Sequence, residues 1–185
     1  GSAQLSSDKI QDSIMHPSSA KFLLLAKRSG VVARAELVAA LEQLGPEAAE
    51  SLDARSLADA LIASRTLTEW QASRLLQGRH QGFILGGYRL LSILGRGAMG
   101  TVYLAEHSML RRRCALKVLM SRHVENSTQQ DRFTREVQAV ALLDHPNIVA
   151  AYDAGMVTEG NRDIYFLAME FVDGRNVSEL VRVAG

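Results

Sequence analysis

This sequence has only one cysteine and no excess of either charge, and each of these features excludes a class of protein. A single cysteine, Cys114, occurs among 185 residues, which excludes an internal disulfide framework and fits a reducing compartment. Lysine and arginine number 21 against 20 acidic residues, whereas a nucleic-acid or anionic-membrane module carries a basic excess on one face. No apolar run approaches the roughly 20 residues that cross a bilayer. We therefore expect a cytoplasmic protein with no membrane span in this stretch and no nucleic-acid partner.

The sequence does contain enough apolar material for a folded core. Hydrophobic residues make up 47% of it and charged residues 22%, which is typical of a globular protein. The first residue is Gly1 rather than methionine, and we interpret Gly1–Ser2 as the remnant of an expression tag. We expect residues 1–17 to be this tag and an N-terminal segment, and the chain to be a piece of a longer protein.

Residues 18–80 are predicted to form a small helical domain of four short helices. The segment Pro17–Ser19 can begin the first helix, and Gly30 can end it in a left-handed conformation. Asp53 is a candidate N-cap, and Thr68 followed by Gln71 has capping-box spacing. Apolar residues at helical spacing predict the inward faces; these are Phe22, Leu25, Leu37, Val38, Leu41, Leu44, Leu57, Leu61 and Ile62.

From residue 83 the pattern changes to short β-branched, aromatic and aliphatic runs separated by glycine, which is typical of strands. One helix of about Thr128–Leu143 interrupts them. The strand runs are Tyr88–Leu94, Thr101–Glu106, Cys114–Met120, Ile148–Ala154 and Ile164–Phe171. Strands joined by short turns favour an antiparallel sheet. We therefore predict an α+β fold: a helical unit, a linker at 81–87, and a five-stranded antiparallel sheet with one helix over residues 88–175.

The segment with the clearest chemistry is Gly95-Arg96-Gly97-Ala98-Met99-Gly100-Thr101-Val102. In a dinucleotide-binding fold the same glycine spacing opens a helix, but here strand-forming residues follow, so the glycines are expected at a hairpin tip. Without Cβ atoms there, backbone N–H groups can approach phosphate oxygens. Lys117 lies inside an apolar strand, where its ammonium group needs an anion. Glu136 is the candidate partner, because it adjoins the apolar stripe of the predicted helix, formed by Phe133, Val137, Val140 and Ala141.

These motifs, in this order and at this spacing, resemble the protein kinase family. The likeness extends to His145–Val149 and Met169–Gly174, and the loop Gly97-Ala98-Met99-Gly100 is similar to that of the bacterial serine/threonine branch. The stretch Leu67–Ala72 resembles what precedes such kinases in planctomycete-type bacteria. The resemblance implies that residues 88–175 are a kinase small lobe, the ATP-binding half, and that residues 176–185 begin a truncated large lobe.

The resemblance also implies roles for single residues. Gly95, Gly97 and Gly100 would cover the phosphates of ATP. Lys117 would hold the α- and β-phosphates and pair with Glu136, and these two are the candidate catalytic residues. The remaining candidates would contact adenine: Leu94, Val102 and Ala115 as its roof, Met169 at the back of the pocket, and the backbone of Glu170 and Val172 at its edge.

Two motifs of the family are missing from the sequence. None of the five histidines is followed by Arg-Asp, and no Asp-Phe-Gly occurs. The catalytic base and the Mg²⁺ ligands are therefore expected only in the full-length protein, and this chain alone is predicted not to transfer phosphate. The leading hypothesis is an N-terminal fragment of a serine/threonine protein kinase. The alternative is a non-catalytic pseudokinase or scaffold module. The neutral charge balance disfavours a third hypothesis, a helix-turn-helix DNA binder at residues 18–80.

The predicted partners are ATP, a protein substrate bound through the large lobe, and a second copy of the chain. Without the large lobe, Leu94, Val102, Ala115 and Met169 are expected to face solvent together, and such apolar patches tend to associate. A twofold dimer is the simplest outcome. The competing outcome is a monomer in which the helical domain covers the cleft. Whether the parent protein is anchored to a membrane further along its chain stays open.

Overall fold

The computed structural model describes residues 17–45, 51–97, 100–119, 127–160 and 162–175, together with residues 177, 181 and 182. The expected tag at Gly1–Ser2 lies outside these described residues. So do Ala98 and Met99 of the glycine-rich segment, and so does most of the stretch expected to begin the large lobe.

Four helices precede the sheet in the described part of the chain: α1 Ser19–Ser29, α2 Arg34–Leu44, α3 Ala54–Ala63 and α4 Glu69–Leu76. Ser18 caps α1 by accepting a hydrogen bond from the Lys21 N–H. Asp53 caps α3, because its Oδ1 accepts from the Ser56 N–H at 2.7 Å. Gly30 ends α1 with a φ of 67°, a left-handed conformation that favours glycine. These caps confirm the helix boundaries that the sequence predicted.

The four helices share one apolar core. Phe22, Leu57 and Leu61 have no exposed surface, and Phe83, which follows the helices in sequence, is buried among them. Val38 was predicted to face inward, and that prediction was wrong, since the side chain is 44% exposed. Its neighbour Leu37 is buried, and successive residues of a helix point in directions about 100° apart. In α2 the core lies on the side of Leu37, so Val38 points toward solvent.

The described sheet has six strands: β1 Ile84–Leu85, β2 Tyr88–Gly97, β3 Gly100–His107, β4 Arg113–Leu119, β5 Ala151–Glu159 and β6 Arg162–Met169. Their order is β1-β2-β3-β4-β6-β5, and helix α5, Ser127–Ala141, lies between β4 and β5 in sequence. The predicted α+β fold is confirmed, but the strand number differs. The additional strand, β1, pairs antiparallel with β2 through only two residues, which is too short to show a period of two.

Strand β5 begins at Ala151, three residues later than predicted. A turn occupies the preceding residues: the Ile148 N–H donates to the His145 carbonyl at 3.0 Å, and the Asn147 N–H donates to His145 Nδ1 at 3.1 Å. The early start was predicted because this turn contains the apolar residues Ile148 and Val149, which are typical of strands.

The chain divides into two compact units. The first contains the described residues up to Ile93 together with Ala105–Arg111, and the second contains the described residues of Leu94–Leu104 and those from Arg112 onward. In the first unit Arg89 and Arg111 both bind Glu106, at 3.1 and 3.3 Å. Every candidate site residue belongs to the second unit. Within the described residues, no helix is both long and apolar enough to cross a membrane.

Candidate functional site

Lys117 is held on β4 within a sheet of apolar neighbours. Strand β4 pairs antiparallel with β6, where Leu167 lies opposite Lys117. The flanking residues Leu116 and Val118 are buried, whereas the Lys117 side chain is on the opposite face and is 15% exposed. An ammonium group that is this little solvated needs a negatively charged partner.

Helix α5 is anchored beside this strand by its apolar stripe. Phe133 is buried and packs with Leu119 and Leu167, and its ring meets that of Tyr165 edge to face at a centroid distance of 6.2 Å. Val137, one turn further along, packs against the same cluster. Ala141 was predicted to belong to the buried stripe, but it is exposed. As the last residue of α5, it lies beyond the part of the helix that this cluster covers.

Glu136 adjoins this anchored stripe, and its carboxylate reaches Lys117. The Lys117 Nζ donates a hydrogen bond to Glu136 Oε1, and the two side chains are 15% and 33% exposed. A lysine ammonium has three donors, so this pairing leaves two for a second anion. The pairing with Glu136 therefore orients the Lys117 ammonium group and leaves two of its hydrogen-bond donors for another partner.

The three glycines of the loop differ in what the fold requires of them. Gly100 has a φ of 135°, and a Cβ added there would lie 2.1 Å from the carbonyl oxygen of Val118. No other residue fits that position without moving β4. A Cβ added to Gly95 or Gly97 would meet nothing within 4 Å. Within the described residues, steric contact therefore does not require glycine at these two positions.

The candidates for the adenine contact differ in exposure. Leu94 is 46% exposed, and Val102 and Met169 are partly buried. Ala115 is 9% exposed, so the prediction that all four face solvent together was wrong for this residue. It is the first residue of β4 that pairs with β6, opposite Met169, and its methyl side chain presents little surface.

The segment after β6 contains the two backbone candidates, Glu170 and Val172. The Glu170 N–H donates to the Ala150 carbonyl at 2.8 Å, and the Glu170 carboxylate accepts from the Ala150 N–H at 3.3 Å. The N–H of Glu170 is therefore already engaged within the protein. The Val172 side chain is 63% exposed.

The remaining reactive groups do not form a second centre. The described residues contain no group of three histidine, cysteine, aspartate or glutamate side chains that could hold a metal ion. Cys114 is buried, and burial raises the pKa of its thiol to about 11, although the positive charge of Arg112 partly opposes this shift. The thiol therefore stays protonated near neutral pH and is a poor nucleophile.

Comparison with known proteins covers the second half of the chain. The family model of the protein kinase domain matches residues 88–185. The serine/threonine-protein kinase PrkC of Bacillus subtilis is 40% identical over 102 residues, which are 55% of this chain and 15% of PrkC. The serine/threonine-protein kinase PknJ of Mycobacterium tuberculosis is 45% identical over 103 residues, which are 56% of this chain and 17% of PknJ.

A crystal structure of the PknI kinase domain from Mycobacterium tuberculosis aligns with 56% of this chain and 40% of its own chain, at 32% identity and a TM-score of 0.45. The chain spans only 15% and 17% of the two curated relatives, so it corresponds to a small part of such a protein. Because the family model matches more than half of the chain, the chain belongs to the protein kinase domain family.

Proposed function

We propose that the parent protein is an ATP-dependent serine/threonine kinase that transfers the γ-phosphate of ATP to protein hydroxyl groups. In this proposal the chain supplies the half of the nucleotide site that holds the phosphates. The observation that carries it is the Lys117–Glu136 pair in the same unit as two glycines that the fold itself does not require.

Each of these residues has a chemical task in the proposal. Lys117 uses its two remaining donors for the α- and β-phosphate oxygens, while Glu136 fixes the direction of the ammonium group. The backbone N–H groups around Gly95 and Gly97 approach the phosphates where a Cβ atom would intervene. ATP, with Mg²⁺ bound by the full-length protein, supplies the phosphoryl group.

The adenine ring completes the proposed ligand. Leu94, Val102 and Ala115 cover one face of the ring, and Met169 closes the back of the pocket. The carbonyl of Glu170 and the backbone N–H of Val172 meet the polar edge of adenine. The Glu170 N–H is already bound to the Ala150 carbonyl, so this proposal assigns the adenine contact to the carbonyl of Glu170.

Phosphate transfer by the full-length parent protein tests this proposal. We expect Lys117→Met to reduce kcat/KM for protein phosphorylation by about 100-fold, as loss of one preorganised donor does in other enzymes. Lys21→Met, which removes an exposed lysine of α1, is the matched control and should leave the rate unchanged. Equal rates in both variants would contradict the role of Lys117. A parent protein that binds a partner but transfers no phosphate would favour the scaffold alternative.

We also propose that the isolated chain forms a twofold dimer. Support comes from the exposed apolar side chains of Leu94 and Val172 in the second unit, since exposed apolar surface promotes association. Sedimentation at increasing concentration should show a monomer–dimer equilibrium, and a monomer up to millimolar concentration would contradict it.

We propose a cytoplasmic location, where ATP is available and Cys114 stays reduced. We propose a planctomycete-type source on the basis of Leu67–Ala72.

A further inference from the structure

The two capping residues of α4 bind strand β2 as well as their own helix. Thr68 Oγ1 accepts from the Gln71 N–H at 3.2 Å, and Gln71 Oε1 accepts from the Thr68 N–H at 2.9 Å. Each side chain also has a donor. Gln71 Nε2 donates to the Leu90 carbonyl at 2.7 Å, and Thr68 Oγ1 donates to the Leu91 carbonyl at 2.5 Å. The same two residues therefore start a helix and fix a strand.

The Gln71 bond meets β2 where its partner strand β1 has ended. Strand β1 pairs with β2 only at Arg89 and Tyr88, and the Leu90 N–H is bound to the Phe83 carbonyl at 2.8 Å. Gln71 is 2% exposed and Leu90 is buried, so an unpaired carbonyl there would be costly. The Gln71 amide supplies the hydrogen bond that a longer β1 would otherwise provide.

Further contacts hold the start of β2 to the helices. The Trp70 and Phe83 rings meet edge to face at 5.7 Å, and the Arg74 guanidinium lies 5.1 and 5.9 Å from their centroids. Arg89 Nη1 donates to the Val31 carbonyl at 3.2 Å, in the turn between α1 and α2. The helices and the first residues of β2 are therefore one structure, which agrees with their membership of one compact unit.

Strand β2 then continues without a break to Gly97. We propose that Thr68 and Gln71 are positioning residues for nucleotide binding, because by fixing β2 at Leu90 and Leu91 they set the backbone that presents Gly95 and Gly97. This inference rests on the proposed function, since it needs phosphates at those glycines. It gives the helical domain a role: to hold the glycine-rich segment in the conformation that binds ATP.

Amide hydrogen exchange of the 185-residue chain tests the coupling without any nucleotide. Gln71→Met keeps the size of the side chain but removes its bond to the Leu90 carbonyl. We expect amide exchange at residues 92–97 to accelerate about tenfold relative to amides at the centre of β6 in the same sample. The reason is that an unpaired buried carbonyl destabilises the closed conformation of β2 by about 1.4 kcal/mol, which corresponds to a tenfold larger open population. Asp53→Ala is the matched control: it removes a cap of similar strength from α3 and should not change that ratio.

A second pair of variants provides the same test if Gln71→Met does not fold. Thr68→Val should show the same selective acceleration, and Thr68→Ser, which keeps the hydroxyl, should restore the wild-type ratio. Acceleration that is equal at β6 and at residues 92–97, or absent from residues 92–97, would overturn the coupling.

Steady-state kinetics of the full-length parent then separate this inference from the proposed function. Gln71→Met should raise the KM for ATP about tenfold with little change in kcat, and an unchanged KM would overturn the positioning role. If the parent transfers no phosphate, the proposed function fails, while the exchange result still decides whether the helices fix β2.

Discussion

The helical region and the glycine-rich region of this chain are fixed by different kinds of interaction. Helices α1, α3 and α4 begin at side-chain caps, and the four helices surround a core in which Phe22, Leu57 and Leu61 have no exposed surface. The glycine-rich region contains two glycines, Gly95 and Gly97, whose missing side chains would meet nothing. Packing and caps account for the first region. In the second, the proposed contact with phosphate would account for the two glycines.

Gly100 is the exception to this contrast. It lies in the glycine-rich region, but packing within the protein requires glycine there, as packing determines the helical region. Gly100→Ala is expected to lower the free energy of unfolding by about 4 kcal/mol, since the new Cβ meets the Val118 carbonyl at 2.1 Å and the φ of 135° is strained for alanine. Urea unfolding of the variant measures this loss. A loss below about 1 kcal/mol would show that β4 moves freely and that the third glycine is not structural.

A substitution in the helical core should lower the free energy of unfolding nearly as much. Leu61→Ala removes a fully buried side chain of α3 and should lower the free energy of unfolding by about 3 kcal/mol. Val38→Ala, at an exposed position of α2, is the control and should lower it by less than about 0.5 kcal/mol. The comparison fails if the two variants unfold at the same urea concentration.

Cys114 provides a smaller, pH-dependent effect. Burial raises the pKa of its thiol from 9.0 to about 11 in the folded chain, so the unfolded thiol ionises first as the pH rises. Below pH 9 both states are protonated and the thiol adds no pH dependence. Between pH 9 and 11 the wild type should lose about 2 kcal/mol of stability relative to Cys114→Ala. Any packing effect of Cys114→Ala is the same at every pH, so it does not contribute to the change of this stability difference with pH. A stability difference that does not change with pH would contradict the raised pKa.

Local signals in the sequence predicted most of the helical region, and long-range contacts account for what they missed. Ser18, Asp53 and Thr68 mark their helix starts because a cap acts within three residues. The bonds from Thr68 and Gln71 to β2 join residues 23 and 19 positions apart, and no spacing rule reports such a pairing. Strand β1 escaped prediction for the same reason, since two residues form a strand only when a partner is present.

In the second unit, the sequence predicted chemistry more readily than exposure. A lysine inside an apolar strand and a glutamate beside an apolar helical stripe implied the need for a partner, and the structure brings Lys117 and Glu136 together. The burial of Ala115 was not predicted, because it depends on the strand packed beside it rather than on its own neighbours in sequence. Likewise, the contact that distinguishes Gly100 from Gly95 and Gly97 is with β4, which is distant in sequence.

The most direct test of the account is a paired measurement on the Gly95→Ala/Gly97→Ala double variant of the 185-residue chain. Calorimetric titration with Mg²⁺-ATP at millimolar concentration should show weak binding by the wild type and at least about tenfold weaker binding by the variant. Urea unfolding of the same variant should stay within about 1 kcal/mol of the wild type, because neither new Cβ meets another atom within 4 Å. Equal affinity in the two proteins, or a large loss of stability in the variant, would contradict the claim that these glycines serve a ligand rather than the fold.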